Sequence, residues 1–365
     1  MSIYISLILI VVATIPLYVY DKYFYLALNT ACIFCVMAFR GISVGADTIS
    51  YRDLFMQSTI QALPNNFINW LLPLHDQRFE TGFVIYNKFI NSFTHNFQAM
   101  LMVNSLVIIG CLIFFIVKLN INYPLALLIF LCLGDFANTM NLMRQGLAWA
   151  FTLVAFVFCV ERKPVMYLIF VGLASGMHAT AWLFLIVYPL TKLRLTPKKL
   201  LLFFFLGALT LEAFESFFNI FSNYSVEVST FSNQIGINNT NGASNLILNI
   251  LITGVIFVLS YRQFSLSSNS MTEENNLVLK SSLIMCMLGI IVTILAFKFS
   301  QLFRIQMYFS SSEIILIPYL LNRIKNSYWR VLINVGVILL LITYFVAVQI
   351  LRPDWSGIIP FQWGV

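Results

Sequence analysis

Apolar runs of about 17–24 residues recur along this 365-residue chain, and each is long enough to cross ~30 Å of hydrocarbon. In lipid every backbone N–H and C=O must find a partner inside its own segment or barrel, so helices and closed barrels are the only spanning structures. A barrel would show short segments of alternating polarity, which this chain lacks. Only 10% of its residues are charged and 60% are hydrophobic, against roughly 25% charged in a soluble domain. The sequence therefore predicts an all-α, polytopic transmembrane bundle of about 12 spans, built as a single integral membrane domain over residues 1–365.

The expected spans fall near 2–20, 23–39, 98–117, 122–137, 142–160, 164–175, 177–190, 199–218, 245–262, 277–297, 301–321 and 330–351. The first lacks a basic leader and a small-residue cleavage site, so it reads as a span and not as a removable signal. The sixth and seventh are too short for two ordinary crossings, which leaves either one long span or a bent hairpin turning near Gly176. Charge chooses between them. Lys192, Arg194, Lys198 and Lys199 form one basic loop, and Arg323, Lys325 and Arg330 another; both should be cytoplasmic. Four spans between them keep these loops on one side. Arg162 and Lys163 join that side only if 164–190 goes in and comes back, so the hairpin is preferred. On this topology 13 Lys and Arg residues lie inside and eight outside: Arg40, Arg52, Arg78, Lys88, Arg144, Lys298, Arg304 and Arg352. Eight is many for an outer face.

Two outer loops are large, 40–97 and 219–244. The first should hold a surface helix near Gly82–Phe93, with Trp70 among its interface aromatics. A polar cytoplasmic loop at 263–276 carries no recognisable chemistry. The net charge of +7 is explained by basic loops at the inner surface, and nucleic acid is not an expected partner. Cys32, Cys35, Cys111, Cys132, Cys159 and Cys286 all fall in apolar runs and read as small packing residues, the C-x-x-C pair included. No H-E-x-x-H, D-x-D or clustered His/Cys set is present, so neither metal catalysis nor any other cofactor is expected. A phosphate-binding glycine loop is absent as well.

The ionisable groups converge on the outer surface. Arg40 ends the second span. Asp47 could cap a short helix and place Tyr51 one turn later on the same side. Glu80 opens the surface helix, where a carboxylate also suits the helix terminus. Arg144 stands near the outer start of the fifth span. Arg304 precedes Tyr308 by four residues, on one helical face. His178 lies at the bend of the hairpin. Ionisable residues in spans are costly and are usually functional or paired; Asp135, Glu212, Glu215 and Glu313 are the available structural partners for Arg144 and Arg304. A guanidinium presents a planar fork that matches phosphate oxygens. Arg40, Arg144 and Arg304 together could hold a diphosphate headgroup whose lipid tail lies between helices.

These residues sit in a series of short motifs: R-G-x-x-V-G-A-D-T-x-x-Y, R-F-E-T-G-F, M-R-Q-G-L-A, G-M-H-A-T-A, F-R-I-Q-M-Y and I-I-P-F. From about residue 40 to the C-terminus their order and spacing resemble the Wzy-type O-antigen polymerases of the EpsG-like family. Where that family often has Pro-Tyr near the end, this chain has Pro360 and Phe361. The resemblance implies a bacterial inner-membrane glycosyltransferase that takes undecaprenyl-diphosphate-linked oligosaccharide units. Its active site and the 40–97 and 219–244 loops would face the periplasm, and a chain-length regulator is a possible protein partner beside the membrane lipids. Arg40, Arg144 and Arg304 would then bind diphosphate, and Tyr51 and Tyr308 substrate. His178, Asp47 and Glu80 are the candidate bases, with His178 preferred. A lipid-linked oligosaccharide flippase, an O-antigen ligase, a multispan acyltransferase and a purely structural membrane protein are the alternatives. A flippase needs a polar path through both leaflets, and a structural protein leaves the outer arginines without a cause.

Overall fold

The segment MRQGLAWAFTLVAFVFCV is almost wholly apolar beyond Arg144 and Gln145 in its first turn, and a helix of that kind belongs in the middle of a bundle. In the computed structural model, which describes residues 1–58, 79–207, 209, 240–267, 271–297 and 302–364, the Met143–Val160 helix is the central one. The Phe97–Lys118 helix packs along one side of it and the Pro164–Met177 helix along another. Trp149 is fully buried and stacks on Phe130 at 5.6 Å. Gly146 lets the central helix approach its neighbour closely: a Cβ there would stand 3.0 Å from Thr139 Cα.

The described residues are all-helical apart from loops and one isolated bridge between Arg40 and Trp363. Among them six helices are long and apolar enough to cross a membrane, or seven if one bent pair counts as a span. The expected count of about twelve is therefore not reached by full-length crossings. Part of the difference lies in short apolar helices, Lys22–Ala38, Pro164–Met177 and Ala179–Leu190. Another part is polarity, because Phe303–Asn322 carries Arg304, Gln306, three serines and Glu313. The expected 199–218 span is helical over 197–207, and its remainder lies almost wholly outside the described residues, as do Trp70, Arg78, Lys298, Glu212, Glu215 and most of the 219–244 loop. The expected 263–276 loop is mostly helix, since Thr240–Ser267 and Glu273–Leu295 reach into it from both sides.

Two breaks shape the bundle. The expected 122–137 span is interrupted at Gly134, whose φ of +107° suits a residue without Cβ. Tyr123–Cys132 and Asp135–Asn141 meet there at 54°, and Leu142 then leads into the central helix. The second break is at His178, which is extended between Pro164–Met177 and the 3-10 helix Ala179–Ile186. The two arms lie side by side: Tyr167 donates to the Phe184 carbonyl, Tyr188 packs on Tyr167 at 5.2 Å, and Arg162 Nη1 donates to Thr191 Oγ1 at 2.9 Å. Residues 162 and 191 meet, so 164–190 is the bent hairpin that its flanking charges predicted.

The hairpin base belongs to a basic face. Lys118 and Lys163 both pair with Glu161 there, and the ammonium of Lys22 lies over the Tyr123 ring. The hairpin tip points to the opposite end of the bundle, where Arg144 opens the central helix. The folded chain thus sets Lys22, Lys118, Arg162 and Lys163 at the end of the bundle away from Arg144 and His178.

Both chain ends close over the R-G-x-x-V-G-A-D motif. Gly41 N–H donates to the Gln362 carbonyl at 2.7 Å, Gly45 N–H to Gly357 at 2.9 Å, and Tyr4 hydroxyl to Ile358 at 2.8 Å. The first and last motifs of the series are one piece of structure.

Candidate functional site

The site starts from a helix crossing. Thr81–Phe93 is amphipathic, as expected for a surface helix, with Phe83, Val84, Asn87 and Ile90 turned inward and Phe89 and Phe93 exposed. It crosses the hairpin arm at two glycines. A Cβ on Gly82 would stand 2.5 Å from the Gly176 carbonyl oxygen, whereas one on Gly176 would lie 3.7 Å from Gly82 Cα. Gly82→Ala should therefore push the helices apart, at a cost of about 1–3 kcal/mol, while Gly176→Ala should be close to neutral. Unfolding midpoints of the two purified variants check this; equal midpoints would mean that the crossing does not need Gly82.

That crossing sets Glu80 against the hairpin tip. The Glu80 carboxylate accepts from Arg144 Nη1 at 2.6 Å through one oxygen; the other accepts from His178 Nδ1 at 2.7 Å and Ala179 N–H at 3.0 Å. Burial would push Glu80 up. The His178 hydrogen bond and the Arg144 charge outweigh it and hold the carboxyl down at about 2. The carboxylate is thus ionised across the physiological range. Its favourable contribution to stability is complete above the ordinary glutamate value and is lost only as pH falls towards about 2.

Arg144 is clamped on more than one side. Its guanidinium carbon lies 4.9 Å from the Phe79 ring centroid, and Tyr51 is buried beside it. Burial is the main reason the Tyr51 phenol is raised above its ordinary range. Arg144 Nε is buried and has no hydrogen-bond partner among the described residues. Tyr308 is fully buried and shares a 3.0 Å hydrogen bond with Thr180, the second residue beyond His178. Its position suits it to hold the hairpin tip.

The other expected site residues are placed differently. Arg304 is exposed, and its guanidinium has no ion pair among the described residues; its carbonyl accepts from Gln145, next to Arg144. Arg40 is 1% exposed and donates to the carbonyls of Met37 at 2.6 Å and Met140 at 3.0 Å. With the C-terminal segment paired against its own backbone, Arg40 ties loops together. Asp47 is the N-cap residue just before the Thr48–Gln57 helix, yet its side chain caps nothing; its N–H donates to Asn141 Oδ1 at 3.0 Å. Glu80 likewise starts a helix without capping it, because its carboxylate is drawn across to Arg144 and His178.

The predicted structural partners of the arginines are also corrected. Arg144 pairs with Glu80, and neither Asp135 nor Glu313 pairs with Arg144 or Arg304. Asp135 accepts from Ser310 at 2.7 Å and Glu313 from Thr253 at 3.2 Å. All six cysteines are free, in keeping with packing residues.

The buried Glu80 carboxylate, with Arg144 and His178 on it, forms a polar cluster at one end of a multi-pass helical membrane protein. Residues 22–363 match the family model described as the EpsG family, and the chain belongs to that family. Membership fits a polymerase-type glycosyltransferase of the membrane. No curated protein and no solved structure matches the chain.

Proposed function

We propose that this protein is an O-antigen polymerase of the bacterial inner membrane. It transfers a glycan chain from undecaprenyl diphosphate onto the terminal sugar of the next lipid-linked repeat unit, at the periplasmic face. The observation that carries the reading is Glu80 held between His178 at 2.7 Å and Arg144 at 2.6 Å. Such a carboxylate fixes the imidazole with its proton on Nδ1 and leaves Nε2 free to accept another.

In the proposed step an acceptor hydroxyl oxygen attacks the anomeric carbon, and the hydroxyl proton passes to His178 Nε2. The bond from the anomeric carbon to the diphosphate oxygen breaks, and its electron pair leaves with undecaprenyl diphosphate. Negative charge grows on the leaving group during bond breaking, so guanidinium groups at that place stabilise the transition state beyond the ground state. Arg144, with an unpartnered Nε, and exposed Arg304 are the groups proposed for it. Tyr51 packs beside Arg144 and keeps its fork in place. Glu80 orients the base, and Asp47, half-exposed at the start of its helix, is proposed to meet the acceptor sugar.

Deletion of the gene in its host tests the reading by lipopolysaccharide banding. A polymerase deletion leaves lipid A core capped with single repeat units. Loss of every capped species would instead point to a ligase or a flippase and would overturn the assignment.

A further inference from the structure

A second polar centre lies away from the Glu80 cluster. A cavity of about 80 Å³ is lined by the Gly134 bend, the Phe303–Asn322 and Ser327–Leu351 helices, and the turn at Ser356. Asp135 and Glu313 line it and are 4% and 5% exposed. Each accepts one hydroxyl hydrogen bond, from Ser310 and Thr253, and neither has a Lys, Arg or His partner among the described residues. Two further oxygens on its lining, Gln349 Oε1 and Ser356 Oγ, are buried without a hydrogen-bond partner among the described residues. Gln349 is 5% exposed.

An orphaned amide oxygen and two carboxylates without a counter-charge are costly inside a membrane protein. What they lack is positive charge. The space holds an ion with a few waters. The donor set is hard oxygen throughout the residues named, the type preferred by Ca²⁺ and Mg²⁺, and one divalent ion offsets two carboxylates.

We propose that this cavity binds one divalent hard cation through Asp135, Glu313 and Gln349. The ion would pin the Gly134 bend, ten residues before Arg144, to the helix that carries Tyr308 and Arg304. Its role is to position these elements, and no step of the transfer passes through it.

The test uses the purified full-length protein, washed with chelator and titrated with CaCl₂ or MgCl₂ at constant ionic strength. The expected result is a saturable rise of several degrees in unfolding midpoint and about one ion bound per chain. Glu313→Gln and Asp135→Asn should lose most of both, while Glu161→Gln, on the basic face, should retain them. Absence of a bound ion with no shift for either salt means that the carboxylates carry protons instead, and overturns the proposal. An equal shift in Glu313→Gln, or a shift with NaCl alone, overturns it as well. If the cavity variants do not fold, ion stoichiometry on the unmodified protein decides.

Discussion

Glu80→Gln should lower chain polymerisation by about 10³-fold or more while the protein still reaches the membrane. The substitution keeps the shape and volume of the side chain and removes its charge. Three hydrogen-bond donors now converge on the carboxylate: Arg144 Nη1, His178 Nδ1 and Ala179 N–H. An amide offers one acceptor oxygen and two donor hydrogens, so at least one contact becomes donor against donor. The imidazole can then reverse its tautomer, placing the proton on Nε2, where the acceptor hydroxyl must deliver its own. In a Ser–His–Asp triad the equivalent Asp→Asn change costs roughly 10⁴ in kcat for this reason. The fold should suffer less, because Arg144 is 21% exposed at its side chain and keeps the Phe79 ring and Tyr51 as neighbours. Polymerisation of lipid-linked units by equal amounts of purified protein gives the measurement. Wild-type rates in Glu80→Gln would remove Glu80 from the mechanism; a loss equalled by collapse of the unfolding midpoint would make it structural.

How much of this was legible before folding depended on range. The 164–190 hairpin could be read because its evidence was local: short apolar arms, a glycine between them, and basic residues at both ends. The amphipathic helix at Thr81–Phe93 followed from periodicity in the same way. The count of about twelve spans is not confirmed where apolar content and geometry diverge. Gly134 can bend a run that hydropathy treats as continuous, and Lys22–Ala38 is a short apolar helix and not one of the long crossings. The Glu80 pairings were beyond reach, since Arg144 is 64 residues away and His178 98. No helical or strand period links such positions. Glu80 and Asp47 were correctly placed at helix starts, but a start tells only what a carboxylate could cap, not what competes for it. The surroundings of Arg40 were hidden for a related reason. At the end of a span it resembles a surface cation, and its cover is the C-terminal segment some 320 residues later, which no local pattern announces.

Arg144→Lys separates charge from shape at the same centre. An ammonium can still neutralise Glu80, so the buried carboxylate keeps a counter-ion and the bundle should remain folded. Removing the charge altogether, as in Arg144→Met, leaves Glu80 buried against a neutral side chain and should cost about 3–5 kcal/mol, seen as a lowered unfolding midpoint or depleted protein. What lysine cannot do is serve two anions with a fixed fork. The guanidinium uses Nη1 on Glu80 and still presents other N–H groups in the same plane, whereas an ammonium is a point charge on a flexible stem. If those remaining groups meet the departing diphosphate, Arg144→Lys should lower kcat by about 10²–10³-fold, the usual effect of losing one preorganised donor to developing charge. KM for the lipid-linked donor should move less, because the lost interaction strengthens only as the bond breaks. A variant that raised KM alone would make Arg144 a ground-state anchor for the headgroup. One that polymerised at the normal rate would leave the arginine with no task except to neutralise Glu80, and the diphosphate would have to be held elsewhere, with exposed Arg304 the next group to test.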